Sequence, residues 1–136
     1  MLYLLDTTTC SDLMRGHGPT EARVKELGSA DRPAVCTIVR GEILYGIRRM
    51  PEGRRRSDFE IKATQLFGSL PCESIPPLAG DQYARLKSEQ QRAGLSLDDN
   101  DLWIAATALA LNATLVTRDA DFTRIPQLMW SNWSAR

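Results

Sequence analysis

The stretch LSLDDNDLWIAATALALNATLVTRDADF sets Asp98, Asp99 and Asp101 at the mouth of an apolar helix and Asp119 and Asp121 just past an apolar strand. Asp6 closes the first apolar run, LYLLD, and Glu42 lies in the first turns of the helix that follows PAVCT. Carboxylates brought together repel one another; at about 5 Å and an effective dielectric near 20, one pair costs roughly 3 kcal/mol. A cation is therefore expected among them. Every ligand in such a set is an oxygen, which selects a hard ion, Mg²⁺ or Mn²⁺, ahead of zinc. The chemistry that matches is phosphodiester hydrolysis, with activated water and a neutralised leaving oxygen.

Each acid also has a structural explanation. Asp98 can cap the helix that follows, with Asp101 in its first turn, where the macrodipole favours an anion by about 0.3–1 kcal/mol. Asp119 and Asp121 can cap a short helix around DFTRI, and Asp6 can cap the first helix. What these separate explanations leave unaccounted for is convergence, and that depends on the elements carrying the acids.

LYLLD is a continuous apolar run, the signature of a buried parallel strand. A first helix is predicted over TCSDLMRG, with Thr8 or Thr9 as N-cap and Gly16 past its end. A second helix follows over PTEARVKEL, led by Pro19. PAVCT reads as a strand ending at Thr37. In IVRGEILYGIRRM, Val39, Ile43 and Ile47 share one helical stripe while Ile38, Glu42, Tyr45 and Arg49 share another. After the Pro51–Gly53 break comes a helix with Phe59, Ala63, Leu66, Phe67 and Leu70 at helical spacing. CESI is a short strand, and a helix runs from Pro76 and Pro77 to Gly94. The last helix spans 98–111 and stops at Asn112 in a left-handed conformation. TLVT is a further strand, and IPQLMWSNW is expected to add an edge strand.

Strands alternating with helices predict an α/β, three-layer α/β/α sandwich with a mostly parallel central sheet. Ligands in such sheets bind beyond the carboxyl ends of the strands. Asp6 and Asp119 follow strands, while Asp101 and Glu42 start helices that run back from that edge. Four acids from four segments are thus expected at one mouth.

At 136 residues the chain holds one domain, since two cores would leave neither enough apolar volume. With 43% hydrophobic and 25% charged residues, a disordered chain is excluded. No apolar run approaches the roughly 20 residues that span a bilayer. MLYLLD lacks a basic flank and a cleavage site, so it reads as a strand. Cys10, Cys36 and Cys72 are widely spaced and odd in number, consistent with reduced, buried thiols in a cytoplasmic protein. His17, the only histidine, cannot build a zinc site with them. The formal net charge of zero argues against bulk attraction to nucleic acid, yet GIRRMPEGRRRSD concentrates Arg48, Arg49, Arg54, Arg55 and Arg56 in a local basic patch.

The segments LLDTTT, TIVRGEILYGI, NDLWIAATALALNATLVTRDADF and IPQLMWSNW, in that order, resemble the PIN-domain ribonucleases, and among them the VapC toxins of bacterial toxin–antitoxin modules. The likeness runs over nearly the whole chain, making residues 1–136 a single PIN-like nuclease domain. It implies an endoribonuclease dependent on Mg²⁺, with Mn²⁺ as a substitute. It further implies a cytoplasmic homodimer, restrained by a cognate VapB-type antitoxin and acting on transfer or ribosomal RNA. The family's four acids fall on Asp6, Glu42, Asp101 and Asp119 as catalytic and metal-binding residues, supported by Thr8, Thr117 and Asp121. Arg48, Arg54, Arg55 and Arg56 are expected to hold the RNA backbone.

One position departs from the family pattern. Where Asp-Thr-Asn is common, this chain has Asp6-Thr7-Thr8, offering one hydroxyl in place of an amide's paired groups. Two other phosphate-chemistry classes fit less well. Haloacid-dehalogenase-like phosphatases need a second Asp at the position of Thr8, and receiver domains need a lysine after the late strand, which reads VTRDAD. A catalytically silent PIN fold that binds RNA or a partner is the remaining alternative.

Overall fold

The computed structural model describes residues 1–95 and 97–134. In chain order the elements are β1 (Leu2–Leu5), α1 (Thr7–Met14), α2 (Gly18–Lys25), β2 (Arg32–Cys36), α3 (Thr37–Arg48) and α4 (Arg54–Ser69). They continue with β3 (Cys72–Glu73), α5 (Leu78–Arg92), α6 (Asp99–Ala110), β4 (Thr114–Val116), a 3₁₀ turn (Ala120–Arg124) and β5 (Trp130–Ser131). The strands form one five-stranded sheet in the order β3-β2-β1-β4-β5. Every pairing is parallel.

This order determines where the helices lie. The chain steps outward from β1 to β2 to β3, then returns across the sheet to β4. Parallel crossovers are right-handed, so α1–α4 cover one face and α5 and α6 the other, giving three layers. Consistent with this, α4 packs on α1 and α3, while α5 packs along α6. The reversal falls between β1 and β4, whose register pairs Leu5 with Val116. That is the crevice where α/β folds place their ligands.

The two-sided cover explains the unbroken apolar strands. Leu5, Val35, Leu115 and Val116 are wholly buried. In α3 the stripe Val39, Ile43 and Ile47 is the buried one, which leaves Glu42 and Tyr45 to point elsewhere. Ala63, Leu66 and Leu70 anchor α4, with Phe59 and Phe67 half-buried beside them. The α3–α4 connection turns at Gly53, whose φ of 150° is a conformation side chains other than glycine's rarely adopt. Asn112, at φ 54°, ends α6 in the left-handed stop expected of it.

Several boundaries differ from expectation. The N-cap of α1 is Asp6, whose side chain accepts from the Thr9 N–H; Thr8 and Thr9 lie inside the helix. Thr37 opens α3 and is not part of β2. CESI contributes only two strand residues, because β3 is an edge strand paired with β2 alone. Cys10 and Cys36 are buried free thiols, but Cys72, on that edge, is exposed. Among the described residues, no helix is long and apolar enough to cross a membrane.

Candidate active site

Asp6 leaves the sheet one residue after β1, its N–H still bonded to Val116 O at 3.0 Å. It is only 3% exposed, so its carboxylate is fixed by its surroundings. Oδ1 accepts from Thr9 N at 2.9 Å and from Thr8 Oγ1 at 2.7 Å. Capping and site-building are thus the same arrangement: the bonds that start α1 also orient the acid, and both fall on one oxygen.

Asp119 stands three residues beyond β4. Its own N–H donates to Thr117 Oγ1 at 3.0 Å, and its Oδ1 accepts from Asp121 N at 2.9 Å. Thr117 is buried, and its hydroxyl fixes the backbone of Asp119. Asp121 is exposed, and its backbone N–H is what it brings to Asp119.

Glu42, half-buried on α3, has both oxygens engaged. Oε1 accepts from Thr7 Oγ1 at 2.6 Å, and Oε2 accepts from Asn100 Nδ2 at 3.4 Å. Neither donor was singled out in the sequence. The only available signal was adjacency, Thr7 following Asp6 and Asn100 preceding Asp101.

Asp101, in the first turn of α6, reports the convergence. Its carboxyl is pushed up to about 6, by burial first and then by the charges of Asp98, Glu42, Asp119 and Asp6. Three of these come from α3, the end of β1 and the segment after β4. Asp98 sits at the N-cap position but makes no side-chain capping bond; its charge acts on Asp101 instead. Asp99 turns away toward α5, where Tyr83 Oη donates to it at 3.0 Å and Lys87 Nζ lies at 3.0 Å. Those two groups hold its carboxyl below the usual range.

The donor set at this edge, carboxylates and hydroxyls without histidine or cysteine, fits a hard divalent ion. Among the described residues, no three acidic, histidine or cysteine side chains are already close enough to ligate one ion. Acids that repel one another around a wet cleft fit an ion that keeps several waters and takes one or two carboxylates, as Mg²⁺ does.

A different acid nearby is neutralised. Asp12, 4% exposed, accepts from Arg15 Nη2 at 2.7 Å and from Arg118 Nε and Nη2 at 3.1 and 3.3 Å. Burial pushes its carboxyl up, but the bonds from Arg118 and Arg15 outweigh this and hold it below the ordinary value. No motif or spacing in the chain marks this pairing.

The arginines of the basic segment line two clefts. Arg48 and Arg56 face a cleft of about 500 Å³ between α3 and α4, together with Arg40. Arg49, Arg54 and Arg55 line a cleft of about 630 Å³ at the α3–α4 turn. Arg55 alone of these also lines a groove of about 340 Å³ that reaches Thr7 and Glu42.

Residues 3–128 match the model of the PIN domain family. The chain belongs to the PIN-domain family. Within it, the similarity is to the VapC group. The chain is 31% identical over 135 residues to Ribonuclease VapC2 of Rickettsia felis, covering 98% of each chain. It is 30% identical over 141 residues to Ribonuclease VapC1 of Haemophilus influenzae, covering 98% of this chain and 99% of that one. In three dimensions it is similar to a chain in the crystal structure of VapBC2 from Rickettsia felis bound to a DNA fragment from their promoter. That match has a TM-score of 0.89 and 30% identity, over 98% of this chain and 99% of the other. The parallel sheet and the three-layer arrangement are those of the PIN fold.

Proposed function

We propose that this PIN-domain protein is a metal-dependent endoribonuclease, the toxin of a type II toxin–antitoxin pair, with Asp6, Glu42, Asp101 and Asp119 as its catalytic and metal-holding acids. The observation that carries the site is the convergence on Asp101, whose carboxyl is raised by burial first and then by four other carboxylates, three of them from distant segments. Similarity to VapC ribonucleases over almost the full chain supports the activity. Mg²⁺ is the proposed ion, with Mn²⁺ as a substitute. The remaining elements of the reading are a homodimer in the cytoplasm, residues 1–136 as one nuclease domain, and transfer or ribosomal RNA as substrate. The partner is a cognate VapB-type antitoxin, as in the VapBC complexes the chain resembles.

A hard divalent ion, when bound, supplies Lewis-acid stabilisation of the phosphate charge and lowers the proton affinity of water. The chain's own groups do the rest. Asp6 and Asp119 are held by backbone and hydroxyl donors, so they contribute fixed negative charge on the two sides of the β1–β4 crevice. Asp101, its carboxyl raised to about 6 by burial and by its neighbours' charges, would be held ionised by a cation that offsets those charges. Thr8 replaces the more common amide and keeps Asp6 oriented through its single hydroxyl. Arg55, with Arg49 and Arg54 behind it, offers cations to the phosphate backbone along the groove that ends at Glu42. Such contacts position a strand without choosing its sequence.

The test is incubation of antitoxin-free protein with total bacterial RNA in Mg²⁺, Mn²⁺ or EDTA, followed by mapping of new 5′ ends. Discrete cuts that vanish in EDTA are expected. RNA that binds but stays intact in every condition would leave the silent binding module as the better reading.

A further inference from the structure

Glu42 is held differently from the other acids at the site. It stands on a long, half-buried side chain among carboxylates of the same sign. Repulsion alone would swing it outward to water. Instead each oxygen meets a donor from a different element: Thr7 at the start of α1 on Oε1, and Asn100 at the start of α6 on Oε2. Each donor adjoins another site acid, Asp6 or Asp101. We propose that Thr7 and Asn100 are positioning residues that bracket Glu42 and hold it at the metal-binding mouth, an inference that rests on the nuclease reading of that mouth.

The chemistry of the donors matters. Asp12, in the same region, is held by two guanidinium groups that cancel its charge. A hydroxyl and a carboxamide hold an acid just as directly but carry no charge. Among the described residues no salt bridge engages Glu42, so an incoming cation has no paired one to displace. The bracket also links α1, α3 and α6, so the acids carried by these elements keep their spacing while no ion is bound. The two arms are unequal. The Thr7 bond is short and partly buried, whereas the Asn100 bond is long and exposed, so Thr7 should dominate.

Calorimetric titration of Mn²⁺ into the full chain tests this, with each substitution made in the wild type and in Glu42→Ala. Outer partners that orient a metal-binding side chain are worth about 10–100-fold in affinity. Thr7→Val should weaken Mn²⁺ binding by about tenfold and Asn100→Ala by about threefold, and Thr7→Ser should restore near-native affinity. In the Glu42→Ala background neither Thr7→Val nor Asn100→Ala should weaken binding further. Equal losses in both backgrounds would mean the two residues act through their own helices, which overturns the bracket; so would unchanged affinity in Thr7→Val. If Glu42→Ala itself binds Mn²⁺ as the wild type does, Glu42 is not a metal acid and the bracket has no such role. Metal-dependent cleavage by the wild type would survive that result, separating it from failure of the nuclease reading.

Discussion

A single acid, Asp12, and the carboxylates gathered at the mouth are handled in opposite ways. Asp12 is sunk between Arg15 and Arg118, and its carboxyl is lowered. Asp101 faces Asp98, Glu42, Asp119 and Asp6, and its carboxyl is raised to about 6. Both lie within a few residues of other site acids, so local composition does not explain the contrast. Arg118 adjoins Asp119 in sequence, yet its guanidinium is committed to Asp12. The fold spends its nearby cations on the acid that holds helix to loop and withholds them from the acids at the mouth. Natural proteins keep uncompensated like charges together mainly where something binds. The contrast separates a structural acid from functional ones, and it can be broken from either side.

The largest effect should come from removing mouth acids. Glu42→Ala and Asp101→Ala are each expected to lower RNA cleavage more than 100-fold, on the order of losses seen when groups act as a unit, with non-additive double variants. Asp6 needs a gentler change because it caps α1, and Ala there would cost about 1 kcal/mol of stability. Asp6→Asn keeps the cap and should still abolish cleavage. Circular dichroism and melting curves confirm the fold; cleavage by any well-folded variant at wild-type rate removes that residue from the site.

Much of this arrangement was legible in the sequence because it follows from strand-then-acid order. An apolar run ending in Asp6, a second ending near Asp119 and helices opening with Asp101 and Glu42 all point to one sheet edge once the strands are parallel. Of the two stripes the spacing offers on α3, it is Val39, Ile43 and Ile47 that the fold buries. What stayed hidden depends on contacts between distant residues. Asp12 and Arg118 are 106 positions apart, and Thr7 and Glu42 are 35 apart. No periodicity encodes such pairs. Arg48 and Arg49 are neighbours in sequence but about 100° apart around a helix, and they line different clefts. Cys72 was expected in the core, but the sheet order places its strand at the edge.

The contrast also predicts opposite responses to pH and metal. In EDTA, Asp101 has a folded value of about 6 against about 3.9 in the unfolded chain. The folded state binds the extra proton between these values, so this group's contribution falls as pH rises from about 4 through 6, by about 1 kcal/mol once solvent screening of a half-buried carboxyl is allowed for. Asp101→Asn should flatten that fall. At pH 7 in EDTA it should melt higher than wild type, after losing the roughly 0.3–1 kcal/mol an anion gains at a helix start. Excess Mg²⁺ should reverse the order, since an ion at 100 times its dissociation constant adds about 2.7 kcal/mol to the protein that binds it. A variant that melts lower in EDTA and gains equally from Mg²⁺ would make Asp101 a helix-start acid and nothing more.

Asp12 should show the mirror image. Its folded value lies below the unfolded one, so its contribution is present above about pH 4 and is lost as pH falls through the folded value. Arg118→Met removes one of its two partners. Because Arg118 is partly exposed and Arg15 remains, the expected cost is about 1–2 kcal/mol at pH 7. The gap from wild type should narrow under acid. The gain in melting temperature from Mg²⁺ should match wild type, because Asp12 faces its arginines and not the mouth. A lost Mg²⁺ response in Arg118→Met would merge Asp12 and the mouth acids into one site.

The smallest expected effect concerns the arginines, and it extends the same distinction between groups near the mouth and groups elsewhere. Arg55 lines the groove that contains Thr7 and Glu42, whereas Arg48 and Arg56 line the outer α3–α4 cleft. Arg56 is further occupied by Glu60 at 3.1 Å. A strand that reaches Glu42 along this groove passes Arg55 and not Arg48 or Arg56. RNA affinity can be measured without cleavage, in the Asp101→Asn background, by fluorescence anisotropy across a salt series. Each phosphate contact on a single strand contributes about 0.7 to the slope of log affinity against log salt. Arg55→Ala should lower that slope by about 0.7, while Arg48→Ala and Arg56→Ala should leave it unchanged. The reverse result would route the strand through the outer cleft. Equal, partial losses at all three would mean that RNA wraps the α3–α4 turn and that the two clefts act as a single surface.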